Sequence, residues 1–126
     1  MHESFKELLE IIHLSRTNCP WQETLTMESQ KEEFFDEAKE LVESIEEKDW
    51  ENVKDELGDV LWDTITLAVL AEELGHFKAE DILSAIKDKI KRRKPYIFEK
   101  HNLTKEQALD IWNQAKIKEG KKPRLK

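Results

Sequence analysis

A chain of 126 residues with 38% hydrophobic and 39% charged side chains has the size of one ordinary domain, with a core drawn from few positions. Three glycines and three prolines are too few for the turns of sandwiches, barrels or Rossmann-type sheets, and one cysteine excludes a disulfide framework and a cysteine-built zinc site. The net charge of −7 divides unevenly, −16 over residues 1–81 and +9 over residues 82–126, so an acidic stretch suited to cations precedes a basic one suited to anions.

Taken in chain order, the spacing of apolar residues predicts helices throughout. A first helix over about 3–17 places Phe5, Leu8, Leu9 and Ile12 inward at intervals of three and four, with His13 beside them. Asn18-Cys19-Pro20-Trp21 breaks it, and Thr26 or Ser29 can cap the next helix. That second helix, about 30–47, presents Phe34, Ala38, Leu41, Val42 and Ile45 on one face. Asp49 reads as the cap of a third helix that ends near Leu74, with Gly75 closing it. Its later half, Ile65 to Ala71, is apolar nearly all round, as in a bundle centre or a subunit interface. A fourth helix, about 79–93, turns Ile82, Leu83, Ile86 and Ile90 inward and ends at Pro95. Thr104 with Gln107 fits a capping box for a last helix to about 118. The expectation is an all-α fold, a four-to-five-helix bundle completed by dimerisation. It comprises a single helical domain over 1–118 and a basic flexible tail over 119–126.

With 28 acidic residues, a lone pair of acids three apart carries no information; their place on the helices does. Glu56, Asp59 and Asp63 share the stripe of the third helix that continues as Leu67, Leu70 and Leu74. That stripe is acidic for two turns and greasy for two more, so these acids point inward. Glu33, Glu37 and Glu40 form a matching stripe on the second helix beside Phe34 and Leu41. The short link around Lys48 sets the two helices antiparallel, so that Glu37 and Glu40 can face Glu56 and Asp59. Buried carboxylates need cations, either lysine and arginine or a metal. An all-oxygen set without histidine or cysteine suits Mg²⁺ or Mn²⁺ rather than zinc.

Glu37-Ala38-Lys39-Glu40, fifteen residues, and Glu56-Leu57-Gly58-Asp59 form an ExxE…ExxD pattern. Cys19-Pro20-Trp21 precedes it, and the run Lys91 to Phe98 and then Trp112 to Lys116 follow. In this order the motifs resemble the MazG-like nucleoside triphosphate pyrophosphohydrolases of the all-α NTP pyrophosphatase superfamily, over roughly residues 5–117. The chain departs from the family pattern at Gln22, Leu25, Asp36, Lys94 and Tyr96. The resemblance implies hydrolysis of an NTP or dNTP to monophosphate and pyrophosphate with Mg²⁺, Mn²⁺ being a substitute. It implies Glu37, Glu40, Glu56 and Asp59 as metal ligands and catalytic residues. Lys89 and Arg93 would neutralise the triphosphate, and Trp112, Lys116 and Trp21 would contact the substrate. Asp63 would support the metal shell or a cation.

Two other readings stay open at this level. One is a narrow-specificity member, dUTPase-like or dCTPase-like; the other is a catalytically silent helical module that binds nucleotides or partners, whose acids pair with lysine and arginine. The apolar stretch Ile65 to Ala71 exceeds what a lone small domain is expected to bury, which points to a homodimer or a dimer of dimers. No stretch is apolar enough to span a membrane, and the first residues lack a signal-peptide pattern, so cytoplasm is the expected compartment. The basic tail lacks interleaved aromatics, so nucleic acid is not expected as a partner.

Overall fold

The computed structural model describes residues 1–124; Leu125 and Lys126, the end of the expected tail, lie outside the described residues. Five α-helices follow one another: α1 (His2–Asn18), α2 (Met27–Glu46), α3 (Trp50–Glu73), α4 (Asp81–Arg93) and α5 (Lys105–Lys118). Short 3-10 turns at Gln22–Thr24 and Pro95–Phe98 are the other regular elements among the described residues. The class is all-α, as the sparse glycine and proline implied. The chain resolves into two compact units, Met1–Ala79 and Glu80–Lys126.

In the first unit, α2 and α3 form an antiparallel hairpin. Its register shows in two contacts. Close to the turn Asn52 donates to Ser44 Oγ at 2.5 Å, and far from it Gln30 reaches Asp63, 33 residues away. Lys48 closes the turn with φ of 56°, a left-handed conformation that costs a non-glycine residue energy. α2 begins three residues earlier than the apolar spacing predicts, because Thr26 and Ser29 form a reciprocal capping box that extends its first turn. Asp49 caps α3 by accepting from the Asn52 amide, and Gly75 follows the helix at φ 84°. Arg16 ties α1 down: it makes two 2.8 Å bonds to Glu73 and donates to the Gln22 carbonyl.

The core of the first unit differs from the expected one on α2 and on α3. On α2, Val42 and Ile45 are exposed, Phe34, Ala38 and Leu41 are half-buried, and the residues fully buried are the polar Gln30 and Ser44. The side of α2 that meets α3 is polar because it carries carboxylates and their partners; Phe35, Val42 and Ile45 stand in solvent instead. On α3, Ile65, Ala68, Val69, Leu70 and Ala71 are all buried within the chain, with Ile12 and Val53. This apolar stretch therefore supplies no argument for a second copy.

In the second unit, Thr104 and Gln107 form the expected capping box of α5. Of the four α4 residues expected inward, Ile82 and Ile90 are half-buried, but Leu83 and Ile86 are exposed. Residues 119–124, expected as a loose tail, are fastened at two points. Glu119 pairs with Arg93 at 2.8 Å and with Arg92 at 3.3 Å. Asn113 exchanges two hydrogen bonds with the backbone of Arg124, at 2.7 and 2.8 Å. Gly120, with φ of 77°, makes the reversal that glycine alone adopts without strain. No helix among the described residues is long and apolar enough to cross a membrane.

Candidate metal centre

The α2–α3 seam carries two groups of three carboxylates that share one member. Oxygens of Glu37, Glu56 and Asp59 lie within 4.8 Å of one another, and so do oxygens of Glu33, Glu37 and Asp63. Helical spacing explains the collection: residues 30, 33 and 37 form one stripe of α2, and 56, 59 and 63 form one stripe of α3. Glu56 is 8% and Asp63 7% exposed. Each of Glu37, Glu56 and Asp63 keeps one buried oxygen with no hydrogen-bond partner.

Such crowding holds protons. Burial, then a hydrogen bond shared with Glu56 and the charges of Glu40, Asp59 and Glu56, pushes Glu37 up to about 8. The same hydrogen bond pulls Glu56 down, but burial and the charges of Glu40, Asp59 and Asp55 outweigh it and Glu56 is also raised. Burial, assisted by Asp55 and Glu40, raises Asp59. Burial raises Asp63 as well, against a 3.1 Å hydrogen bond from Gln30. Among the described residues, no salt bridge reaches any of these four acids. Glu56 and Asp63 are buried, Glu37 is half-buried and Asp59 is exposed; such a set of converging carboxylates without lysine or arginine, some oxygens orphaned, fits a divalent cation such as Mg²⁺ or Mn²⁺.

Beside the seam opens a cavity of about 460 Å³, lined by Trp21, Gln22, Trp62, Asp59 and Asp63 among others. The volume is within the range of small-molecule sites. Trp21 is 71% exposed at this cavity. Glu40 is exposed; its oxygens are not among the close trios, and it acts on them through its charge. Asp63 and Glu33 join the cluster. Gln30, Gln22 and Trp62 were not singled out as site residues by sequence reasoning, although Gln30 falls on the Glu33–Glu37 stripe, one heptad before Glu37.

The basic residues belong to the second unit. Arg93 is 5% exposed, so it is not a solvated cation. Its guanidinium bonds Glu119 and lies 4.9 Å from the Trp112 ring centre, and Lys94 lies 5.4 Å from the same ring. Trp112 thus stacks with two cations, while its Nε1 is buried without a partner. Lys89 and Lys116 are half-buried. Glu119, held first by the Arg93 hydrogen bond and also by Arg92, is lowered to about 2.

An all-α hairpin with a carboxylate-lined seam and an adjoining cavity defines a helical protein whose seam could hold a divalent cation, and comparison with known proteins gives the family. Residues 25–98 match the MazG nucleotide pyrophosphohydrolase domain, and the chain belongs to that family. It is 38% identical over 96 residues to the nucleoside triphosphate pyrophosphohydrolase/pyrophosphatase MazG of Thermotoga maritima, covering 75% of this chain and 38% of that protein. It is 32% identical over 102 residues to the nucleoside triphosphate pyrophosphohydrolase of Escherichia coli, covering 80% and 39%. The chain therefore spans well under half the length of these relatives. The crystal structure of a mazG-related protein from Thermotoga maritima superposes with a TM-score of 0.82 at 31% identity, covering 89% of this chain and 98% of that one.

Proposed function

We propose that this chain hydrolyses nucleoside triphosphates, ribo or deoxy, to the monophosphate and pyrophosphate, with Mg²⁺ held by Glu37, Glu40, Glu56 and Asp59. The observation that carries the reading is the set of converging carboxylates on α2 and α3, with Glu56 and Asp63 buried, Glu37 half-buried and Asp59 exposed, that no lysine or arginine neutralises. A silent module whose acids pair with basic side chains has the opposite signature. The names printed for the Thermotoga and Escherichia relatives support the same reaction class.

A divalent ion in this set would neutralise phosphate oxygens and lower the pKa of bound water. The chain's own contribution is placement and exclusion. Glu37 and Glu56 sit where burial strengthens electrostatic interactions, and a carboxylate of the set takes the proton of the attacking water. Trp21 and Trp62 line the cavity and offer aromatic surface for a base, and Gln22 offers an amide for its edge. Lys89, Arg93, Trp112 and Lys116 are proposed as further substrate contacts. For Arg93 the contact requires sharing a guanidinium already bonded to Glu119.

Removal of unwanted nucleotides in the cytoplasm is the proposed role. A homodimer, or a dimer of dimers, is proposed on new grounds: Phe35, Val42 and Ile45 of α2 and Leu57 and Leu61 of α3 are exposed, enough apolar surface for a second copy to cover. Sedimentation as a monomer at micromolar concentration excludes it.

The deciding experiment measures pyrophosphate release from a panel of NTPs and dNTPs, with Mg²⁺ and with chelator. Metal-dependent release supports the reading and ranks the bases, a narrow dUTP or dCTP preference included. Absence of release from a folded protein moves the chain to the silent binding class.

A further inference from the structure

The four motif carboxylates leave two acids of the seam unused, the buried Asp63 and the exposed Glu33. Asp63 is 7% exposed; its Oδ1 accepts from Gln30 Nε2 at 3.1 Å, and its Oδ2 is buried with no partner. Gln30 is itself 2% exposed and also approaches the Asp63 carbonyl at 3.4 Å, so the amide holds the carboxylate in one orientation. Oxygens of Asp63, Glu33 and Glu37 come within 4.8 Å of one another, and all three residues line the cavity. Among the described residues, the lining includes no lysine or arginine.

We propose that Glu33, Glu37 and Asp63 form a second divalent-cation site, with Glu37 as the carboxylate shared with the Glu37–Glu56–Asp59 site. Charge decides the number of ions. The two trios comprise five different acids, so one divalent ion leaves most of their ionised charge uncompensated in a partly buried seam, and two nearly balance it. A polyphosphate substrate, on the reading above, adds further negative charge to the same cavity. Three hard oxygen donors suit Mg²⁺ or Mn²⁺ and not a soft metal. Gln30 is the positioning residue: its amide fixes Asp63 Oδ1 and leaves Oδ2 free to ligate.

The test is titration of the metal-free full chain with Mn²⁺ alone, the free ion being counted by its paramagnetic resonance signal. The expected result is two bound ions per chain in the wild type and one in each of Glu33→Gln and Asp63→Asn. Glu33 is exposed, so Glu33→Gln is expected to keep the fold and controls for any destabilisation by Asp63→Asn; melting curves of both check this. Glu56→Gln, which removes a ligand of the other trio, is expected to retain one ion. A single ion in the wild type, or two ions retained in either Glu33→Gln or Asp63→Asn, overturns the second site. The first site stands in that event if Glu56→Gln still loses an ion. No bound ion in the wild type overturns both sites.

Discussion

Two clusters of charge in this protein are solved in opposite ways. In the second unit, Glu119 meets Arg93, Arg92 and Lys121 within 4.0 Å or less, the closest at 2.8 Å, and Arg93 is buried with its charge answered. In the first unit, Glu37, Glu56, Asp59 and Asp63 collect on one seam, and among the described residues no cation of the chain answers them. Arg16 and Glu73, also in the first unit, pair at 2.8 Å, so unpaired acids are not a general habit of this unit. A paired cluster is complete and belongs to the architecture; an unpaired buried cluster is incomplete until something binds it. That contrast locates the site better than the number of acids does.

The largest effect expected from breaking the unpaired cluster is on activity. Glu56→Gln should lower Mg²⁺-dependent pyrophosphate release by at least about a hundredfold, as loss of a ligand does where even supporting groups matter tenfold to a hundredfold. In the metal-free protein the same change should raise the melting temperature, because it removes one of the crowded charges. Glu119→Gln should do the reverse. It leaves buried Arg93 without its carboxylate and should lower the melting temperature by several degrees, and a rise would show that the pair is not structural. Opposite signs from two Glu→Gln changes are the sharpest form of the comparison.

The pH dependence follows the same division. Glu37 is raised from an ordinary 4.5 to about 8, so the folded state holds its proton more tightly than the unfolded state. Its contribution to stability is full below about 4.5 and is lost as pH rises through about 8. Glu119 is lowered from 4.5 to about 2. Its contribution is present above 4.5 and is lost as pH falls toward 2. Melting curves in chelator should therefore decline on both sides, with Glu37→Gln flattening the alkaline limb and Glu119→Gln the acid limb. Saturating Mg²⁺ should also reduce the alkaline decline by stabilising the ionised acids. The smallest effect lies away from both clusters: Thr26→Ala removes the α2 cap and should cost about 1 kcal/mol in denaturant unfolding.

Much of the fold was legible because helices announce themselves locally. Capping residues Asp49 and Thr104, the closing Gly75 and the break at Pro95 lie where the spacing put them, since each acts within a turn or two of its own position. The carboxylate stripe on α3 was legible for the same reason, and the inward direction expected from the leucines above it holds for Glu56 and Asp63, whereas Asp59 and Leu74 on the same stripe are exposed. The inward face of α2 was legible only in part. Glu37 meets Glu56 and Asp59 as the stripes implied, and Phe34, Ala38 and Leu41 are half-buried, but Val42 and Ile45 are exposed while Gln30 and Ser44 are buried. A helix that builds a polar site turns that face toward its neighbour, and the pattern alone cannot say which of two faces the neighbour takes.

By itself the sequence determined an all-helical chain, several of the helix caps, the separation of acidic from basic stretches, and the motif set that places it in its family. All of these depend on neighbours along the chain or on the order of motifs. Tertiary structure decided what pairs with what. Gln30 reaches Asp63 across 33 positions, Arg93 reaches Glu119 across 26, and the α3 stretch from Ile65 to Ala71 is almost wholly buried within the chain. Whether a charge is answered depends on which side chains meet across distant segments, and only the folded chain brings those segments together.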